Sequence, residues 1–317
     1  MKKIYLYYHG DFDGIASAYL MFHVLKKIGY HPEIAGEVHY GMCDMGAWRK
    51  GRVPIKKPAC VVDFSEYRPD LEIYFDHHSN PKGKKSKTTK IFYHDPSKQS
   101  CFEVILNFAK KKKIKIDLKN LREVEKWAKL IDGALYYKYG LPPIETIKPK
   151  NPVIQLALIL NRKNIPVILQ RLINGSSFEE ISKIPRIQKE IKDYLKKADS
   201  DLRNLKKVIK KHDKRIVIYN TSNIRWYRFA PFHFFPESSL AVGIAKSKKR
   251  GRYYVKASQN PWKNVMPLMR KIKLGEIFKR YGGGGHDYVA SSSRESKKDA
   301  QEKFKRILEE IKTKLEK

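Results

Sequence analysis

The chain has 317 residues, 41% of them hydrophobic, with 67 lysines and arginines against 33 acids and a formal net charge of +34. That apolar content excludes wholesale disorder, and the length accommodates two domains of ordinary size. A membrane span is not expected, because the longest apolar stretch, Val153 to Leu160 broken by Gln155, falls far short of the roughly 20 residues required.

In chain order, Ile4 to Tyr8 reads as a buried strand, and the loop His9-Gly10-Asp11-Phe12-Asp13-Gly14 follows it. Ile15 to Ile28 then carries helical periodicity that stops at Gly29. Ile34 to His39, Ala59 to Asp63 and Leu71 to Phe75 are short apolar runs bounded by Pro, Gly or charge, as strands are. Asp95-Pro96 predicts a helix start, with Asp as N-cap and Pro at the first helical position, running through Glu103 and Leu106. A further helix is expected from near Asp117 through Trp127 and Asp132 towards Tyr139. Strand–helix alternation with acids at the strand ends predicts an α/β fold whose parallel sheet holds a ligand site at its carboxyl edge.

From Asn151 the pattern turns helical. Asn151-Pro152 caps one helix, and Ser177-x-x-Glu180 is a capping box for another. Arg186 to Lys211 spaces its apolar residues as an extended connecting helix does. A strand follows at Arg215 to Tyr219. Ala241 to Ala245 and Arg252 to Ala257 flank Lys248-Lys249-Arg250-Gly251 as a β-hairpin, and Ser296 opens a final amphipathic helix. The expected organisation is a parallel-sheet α/β domain over 1–185, a connecting helix over 186–212, and a smaller α/β domain with a mixed sheet over 213–317.

An Asp at a strand end is commonly a helix N-cap, and a lone His on an apolar face is commonly a satisfied core group. The set reads differently. His9, Asp11, Asp13, Asp63, Asp76 and His77 recur at strand ends, with Asp132 on a helix. Burying carboxylates is costly unless a charge partner is supplied, and one shared cation site supplies it. Oxygen and imidazole donors without cysteine favour Mn²⁺ or Mg²⁺ over structural zinc. The residues therefore point to a metal-dependent enzyme.

The three cysteines, Cys43, Cys60 and Cys101, lie far apart without a CxxC spacing, which argues against a disulfide framework and fits a reducing cytoplasm. The apolar run at the N-terminus ends at His9, too early for a secretory signal. The net charge attracts polyanions, so a nucleic acid or nucleotide partner is expected. Lysine runs such as Lys110 to Lys113 and Lys82-Gly83-Lys84-Lys85 read equally as solvated surface. Four consecutive glycines, Gly282 to Gly285, are not selected for helix or strand stability. Bare amides there suit an anion, with His286 adding a donor. The segment Asn223 to His233 is an expected substrate-facing loop. Its aromatics, and those just beyond it (Trp226, Tyr227, Phe229, Phe232, Phe234, Phe235), read either as base-stacking platforms or as core.

His-x-Asp-x-Asp-Gly after the first strand, Asp63 in Val-Val-Asp, Asp76-His77-His78, Asp132 in Leu-Ile-Asp-Gly, and Gly282-Gly283-Gly284-Gly285-His286 occur in one order. Together they resemble the DHH phosphoesterase superfamily, in the branch with the DHH-associated C-terminal domain. That branch contains RecJ-like nucleases, NrnA-like oligoribonucleases acting also on pAp, and cyclic-dinucleotide phosphodiesterases. The resemblance implies two Mn²⁺ ions, with Mg²⁺ or Co²⁺ as substitutes. His9 and Asp11 would bind the first, Asp13, His77 and Asp132 the second, and Asp63 both. Asp76 would orient a neighbouring histidine, and His78 would contact the phosphate or protonate the leaving oxygen.

The glycine loop with His286 would hold the substrate's phosphate or terminal nucleotide opposite the metals, aided by Lys256 and Ser258. The family often carries a Ser-x-Arg-Ser-like element before that loop. Here Lys256-Ala257-Ser258-Gln259-Asn260 stands there without an arginine, and Asp287-Tyr288-Val289-Ala290-Ser291 follows where many relatives have Ala-Ala-Gly. The implied activity is a two-metal phosphodiesterase or exonuclease acting on short oligonucleotides or single-stranded nucleic acid. A small-nucleotide phosphoesterase acting on pAp or on cyclic or linear dinucleotides is the alternative. A non-catalytic nucleic-acid-binding subunit is a third reading, which the filled ligand positions disfavour.

Overall fold

The computed structural model describes residues 1–39, 45–78, 86–221, 224–225, 227–247, 251–263 and 271–316. Cys43, Lys82 to Lys85, Asn223, Trp226 and Lys248 to Arg250, all singled out above, lie outside the described residues. The chain divides into two compact units, one of Met1–Leu135 with Asn151–Ile191 and one of Tyr136–Lys150 with Lys192–Lys317.

The first unit is built on five parallel strands in the order β2-β1-β3-β4-β5, where β1 is Lys2–His9, β2 Tyr30–Val38, β3 Ala59–Val62, β4 Ile73–Asp76 and β5 Ile91–His94. The strand order reverses between β1 and β3, and ligands of such sheets bind beyond the carboxyl ends at that reversal. β3 and β4 are wholly buried, as their unbroken apolar sequences require. Helix α1 (Phe12–Lys27) follows β1 directly and is buried along most of its length, because neighbouring helices cover the side turned from the sheet. Gly14 makes this return possible: a Cβ there would come within 2.0 Å of the His9 carbonyl oxygen.

Several expectations are corrected in this unit. The helix expected from Asp95-Pro96 begins instead at Cys101 and runs to Lys111 (α3), with the Ser100 side chain accepting from the Glu103 amide. Asp95 makes a local turn, accepting from the amide and hydroxyl of Ser97. The helix expected to reach Tyr139 spans Leu121–Asp132 (α4) and ends at Gly133, with Ala134 at a positive φ of 51°. Strand β5 was not anticipated, since its four half-buried residues carry too little pattern. The two caps after residue 150 are present: Asn151 accepts from the Val153 amide, and Ser177 and Glu180 form a reciprocal capping box.

The second unit has a six-stranded mixed sheet in the order β10-β11-β9-β8-β7-β6, comprising Gly284–His286, Val289–Ser291, Tyr253–Gln259, Leu240–Lys246, Ile216–Thr221 and Ile209–Lys211 respectively. Only β7 and β8 pair in parallel, and β8 with β9 forms the expected hairpin. One face, with Ile216, Leu240, Val242, Val255, Ala257 and Ala290, packs on the helices Leu274–Lys279 and Lys297–Glu316. On the other, Tyr219, Gly243, Lys256 and Ser291 stand in one row across β7, β8, β9 and β11.

The long helix spans Pro185–Val208, and the division between units falls inside it at Ile191. Residues 136–150, placed in the N-terminal half from sequence, group with the second unit. There the Trp262 indole N–H donates to the Leu141 carbonyl at 2.7 Å, and Tyr136 sits edge-on to Phe229.

The Gly14→Ala variant is expected to lose at least about 2 kcal/mol of stability, since the clash is with backbone rather than a flexible side chain. Chemical denaturation of the first unit is the measurement. An unchanged midpoint would show that α1 and β1 are not held as tightly as described.

Candidate metal centre

The centre lies at the carboxyl edge of the parallel sheet. β1 delivers His9 and Asp11, the first turn of α1 delivers Asp13, and β3 is followed by Asp63. β4 ends in Asp76 and is followed by His77 and His78, and α4 brings Asp132. Three groups of donors have their ligand atoms mutually within 4.8 Å: His9, Asp11 and Asp63; Asp13, His77 and Asp132; and Asp63, His77 and His78. The residues read from sequence as ligands thus converge, with Asp63 common to the first and third groups.

The geometry assigns a position to each. His9 Nδ1 lies 2.8 Å from Asp11 Oδ2 and 3.9 Å from Asp63 Oδ2. His77 Nε2 faces three carboxylates, at 3.4 Å from Asp132, 3.5 Å from Asp63 and 3.7 Å from Asp13. Its other nitrogen meets the Lys98 carbonyl at 3.3 Å, which fixes the ring with Nε2 towards the acids. His78 Nδ1 is bound by Asp76 at 2.7 Å, so Asp76 orients a histidine. Asp11 is the N-cap of α1 and accepts from the Gly14 amide at 2.9 Å. The cap role considered for Asp13 falls on a different helix: its carboxylate accepts from the amides of Cys101 and Phe102 at the start of α3.

Electrostatically the centre is incomplete by itself. Both carboxylate oxygens of Asp63, Oδ2 of Asp76 and Nε2 of His77 are buried without a hydrogen-bond partner. Asp63 also holds a left-handed φ of 58°, an uncommon conformation that costs on the order of 1–3 kcal/mol and tends to mark functional sites. Burial, then repulsion from Asp11, pushes Asp13 up to about 7. Burial and then the neighbouring carboxylates drive Asp63 and Asp132 well above the usual carboxylate range. Burial works against ionisation of Asp11 too, but the His9 hydrogen bond and charge prevail and hold it at about 2. Burial lowers His77, whereas for His78 the Asp76 contact outweighs burial and raises it. Orphaned acids crowded around neutral imidazole nitrogens are the donor set of divalent cations, and the residues present fit two ions sharing Asp63.

In the second unit the glycine run departs from an open amide cradle. Gly282 and Gly283 donate their amides to the Lys279 and Phe278 carbonyls and close the preceding helix, with Gly282 at a φ of 71°. Gly284–His286 then forms an edge strand. A Cβ on Gly283 would come within 1.9 Å of the Ser291 carbonyl oxygen, so close backbone packing also selects glycine here. His286 is exposed and stacks on Tyr288 with ring centroids 5.3 Å apart. Ser258, read as a substrate contact, is fully buried and donates to the Arg228 carbonyl at 3.5 Å, so it holds the loop rather than a ligand. Lys256 is half-buried, and burial with nearby Arg294 and Arg228 pushes it down to about 8. Of the aromatics in the expected substrate loop, Tyr227, Phe229 and Phe232 are buried, which places them in the core. Sequence reasoning gave no separate role to Arg228, hidden among those aromatics, or to Arg294. The missing arginine on β9 was the available signal.

Residues 3–131 match the family described as DHH family, N-terminal domain. The fold and the site define a phosphoesterase of the DHH superfamily, and the chain belongs to it. Among solved structures, it is similar to the pGpG-specific phosphodiesterase PggH of Vibrio cholerae at 17% identity and a TM-score of 0.68, covering 99% of this chain and 100% of that one. It is similar to an exopolyphosphatase-related protein of Bacteroides fragilis at 13% identity and a TM-score of 0.57, covering 100% and 94%. RecJ of Thermus thermophilus in complex with Mn²⁺ matches at 14% identity and a TM-score of 0.59, where the whole of this chain spans 52% of that protein. No curated protein matches the sequence. Among the described residues no helix is long and apolar enough to cross a membrane.

Divalent-ion binding is expected to stabilise the protein. At about a hundredfold excess of Mn²⁺ over its dissociation constant the gain is roughly 2.7 kcal/mol, read as a rise in Tm over the EDTA-treated protein. Asp63→Asn is expected to abolish most of that rise without lowering the metal-free Tm, because it removes a buried charge. A metal-induced rise unchanged in Asp63→Asn would show that Asp63 bridges nothing.

Proposed function

We propose that this protein is a metal-dependent phosphodiesterase that hydrolyses short oligonucleotides or single-stranded nucleic acid. The observation carrying this reading is the sharing of Asp63 between groups of acid and imidazole donors at the sheet's reversal point. Mn²⁺ is the proposed ion. The oxygen and imidazole donors support it, and so does the structural likeness to RecJ in complex with Mn²⁺. When bound, two such ions supply charge neutralisation at the reacting phosphate and a water of lowered pKa.

His9, Asp11 and Asp63 would hold one ion, and Asp13, His77, Asp132 and Asp63 the other. The protein's own part is to fix positions and move one proton. His78, kept protonated by Asp76, donates that proton to the leaving oxygen as the phosphorus–oxygen bond breaks and the water oxygen adds to phosphorus. Lysine and arginine excess draws the polyanionic substrate to the surface. The full-length correspondence with a pGpG-specific phosphodiesterase supports the small end of the substrate range, linear dinucleotides in particular.

The test is Mn²⁺-dependent cleavage of a short RNA, a longer single-stranded DNA, pAp, a linear and a cyclic dinucleotide, compared side by side. Product from at least one phosphodiester is expected, and none from any would overturn the enzyme reading. Asp63→Ala is expected to remove nearly all turnover with the fold intact by circular dichroism; near-normal hydrolysis would refute the shared-ligand role. Asp76→Asn is expected to lower kcat by roughly 10²–10⁴-fold. Because it removes the contact that raises His78, it should also move the alkaline limb of the kcat–pH profile to lower pH. An unmoved limb would take the proton donor role away from His78.

A further inference from the structure

The sheet face of the second unit opposite its apolar core carries positive charge in an unusual setting. Lys256 projects there from β9, in the row with Tyr219, Gly243 and Ser291. Gly243 keeps that row low: a Cβ would strike the Tyr219 ring at 2.6 Å. Arg228 joins from the segment before Phe229, its guanidinium 4.7 Å from the Phe229 ring centroid and 5.4 Å from that of Tyr288. Arg294 and Lys256 both lie over the Tyr254 ring, at 6.0 and 5.1 Å.

No carboxylate balances the group. The charges acting on Arg228 are those of Tyr288, Tyr136 and Tyr219, and those acting on Lys256 are Arg294 and Arg228. Burial and this mutual repulsion lower both cations below their ordinary values, a condition that a bound anion relieves. Glu295, the nearest acid in sequence, is engaged by Lys303 and Ser293. Asp287 acts on Lys273. The buried Nε of Arg228 has no hydrogen-bond partner. Aromatic faces hold a guanidinium while leaving its N–H edge available for a planar, bidentate oxyanion.

We propose that Arg228, Lys256 and Arg294 form a receptor for a terminal phosphate, so that the preferred substrate is a short linear oligonucleotide bearing a phosphomonoester at one end. The choice among phosphates follows from charge. A monoester carries close to two negative charges at neutral pH, a diester one, and three uncompensated cations discriminate by that difference. Arg228 supplies from a neighbouring segment the bidentate fork that β9 lacks, and Ser258 positions its backbone. The stacked His286 and Tyr288 rings border the same basin through the Arg228–Tyr288 contact and offer a face for the adjoining base. The inference rests on the phosphodiesterase reading for its substrate class, but the receptor needs no metal.

The test is calorimetric binding of a linear dinucleotide with and without its 5′-phosphate, and of the corresponding cyclic dinucleotide, to the full chain in EDTA. The phosphorylated form is expected to bind at least about tenfold tighter than the other two, a preference that weakens with salt. Arg228→Gln should abolish the preference and Arg228→Lys restore part of it. The exposed-rim Arg294→Gln, which carries no folding risk, should reduce it severalfold, and the remote control Lys298→Gln should leave it intact. Equal or equally undetectable binding of the three ligands overturns the receptor, as does an undiminished preference in Arg294→Gln and in a folded Arg228→Gln. Phosphate-dependent binding without Mn²⁺-dependent hydrolysis would instead sink the enzyme reading and leave the receptor standing. Hydrolysis indifferent to the terminal phosphate would do the reverse.

Discussion

The first unit is organised around one electrostatic problem, the gathering of like charges where water does not reach. Asp63 is enclosed at the end of β3, beside Asp11, Asp13 and Asp132, with no hydrogen bond to its oxygens. Left alone, such a cluster destabilises the fold that holds it, because desolvation and repulsion act in the same direction. The parallel sheet makes the cluster possible, since β1, β3 and β4 end at one edge and each delivers its acid or imidazole there. The fold therefore tolerates an unfavourable arrangement that a pair of cations turns into a favourable one.

The second unit presents the complementary problem with the sign reversed. Arg228, Lys256 and Arg294 are stabilised by aromatic faces rather than by carboxylates. Each unit thus holds the charge that a phosphate ester's surroundings require: cation ligands in one, oxyanion donors in the other. A basic surface of +34 overall draws the ester from solution.

Much of this was legible in the sequence because acids at strand ends have few bland explanations once they recur. The β1 to β4 strands, α1, the capping box at Ser177 and the hairpin of β8 and β9 follow from periodicity and cap chemistry. What was illegible depended on contacts distant in the chain. Asp95-Pro96 carries a better local helix start than Ser100, yet the amides of Cys101 and Phe102 are met by Asp13 from the other end of the sheet, and that interaction fixes where α3 begins. The glycine run reads as an open loop, because no local pattern reveals that the Ser291 backbone lies against it. Ser258 reads as a ligand contact, because alternation gives its face of the sheet but not the Arg228 segment that buries it.

Asp13 deserves a last consequence. One carboxylate serves as the anionic cap of α3 and as a neighbour of His77 Nε2 at 3.7 Å. The spacer between β5 and α3 is consequently locked in length: inserting or deleting a residue there would slide the helix and drag a ligand with it. Drift in that connection is forbidden by coordination geometry, although its exposed residues look free to vary.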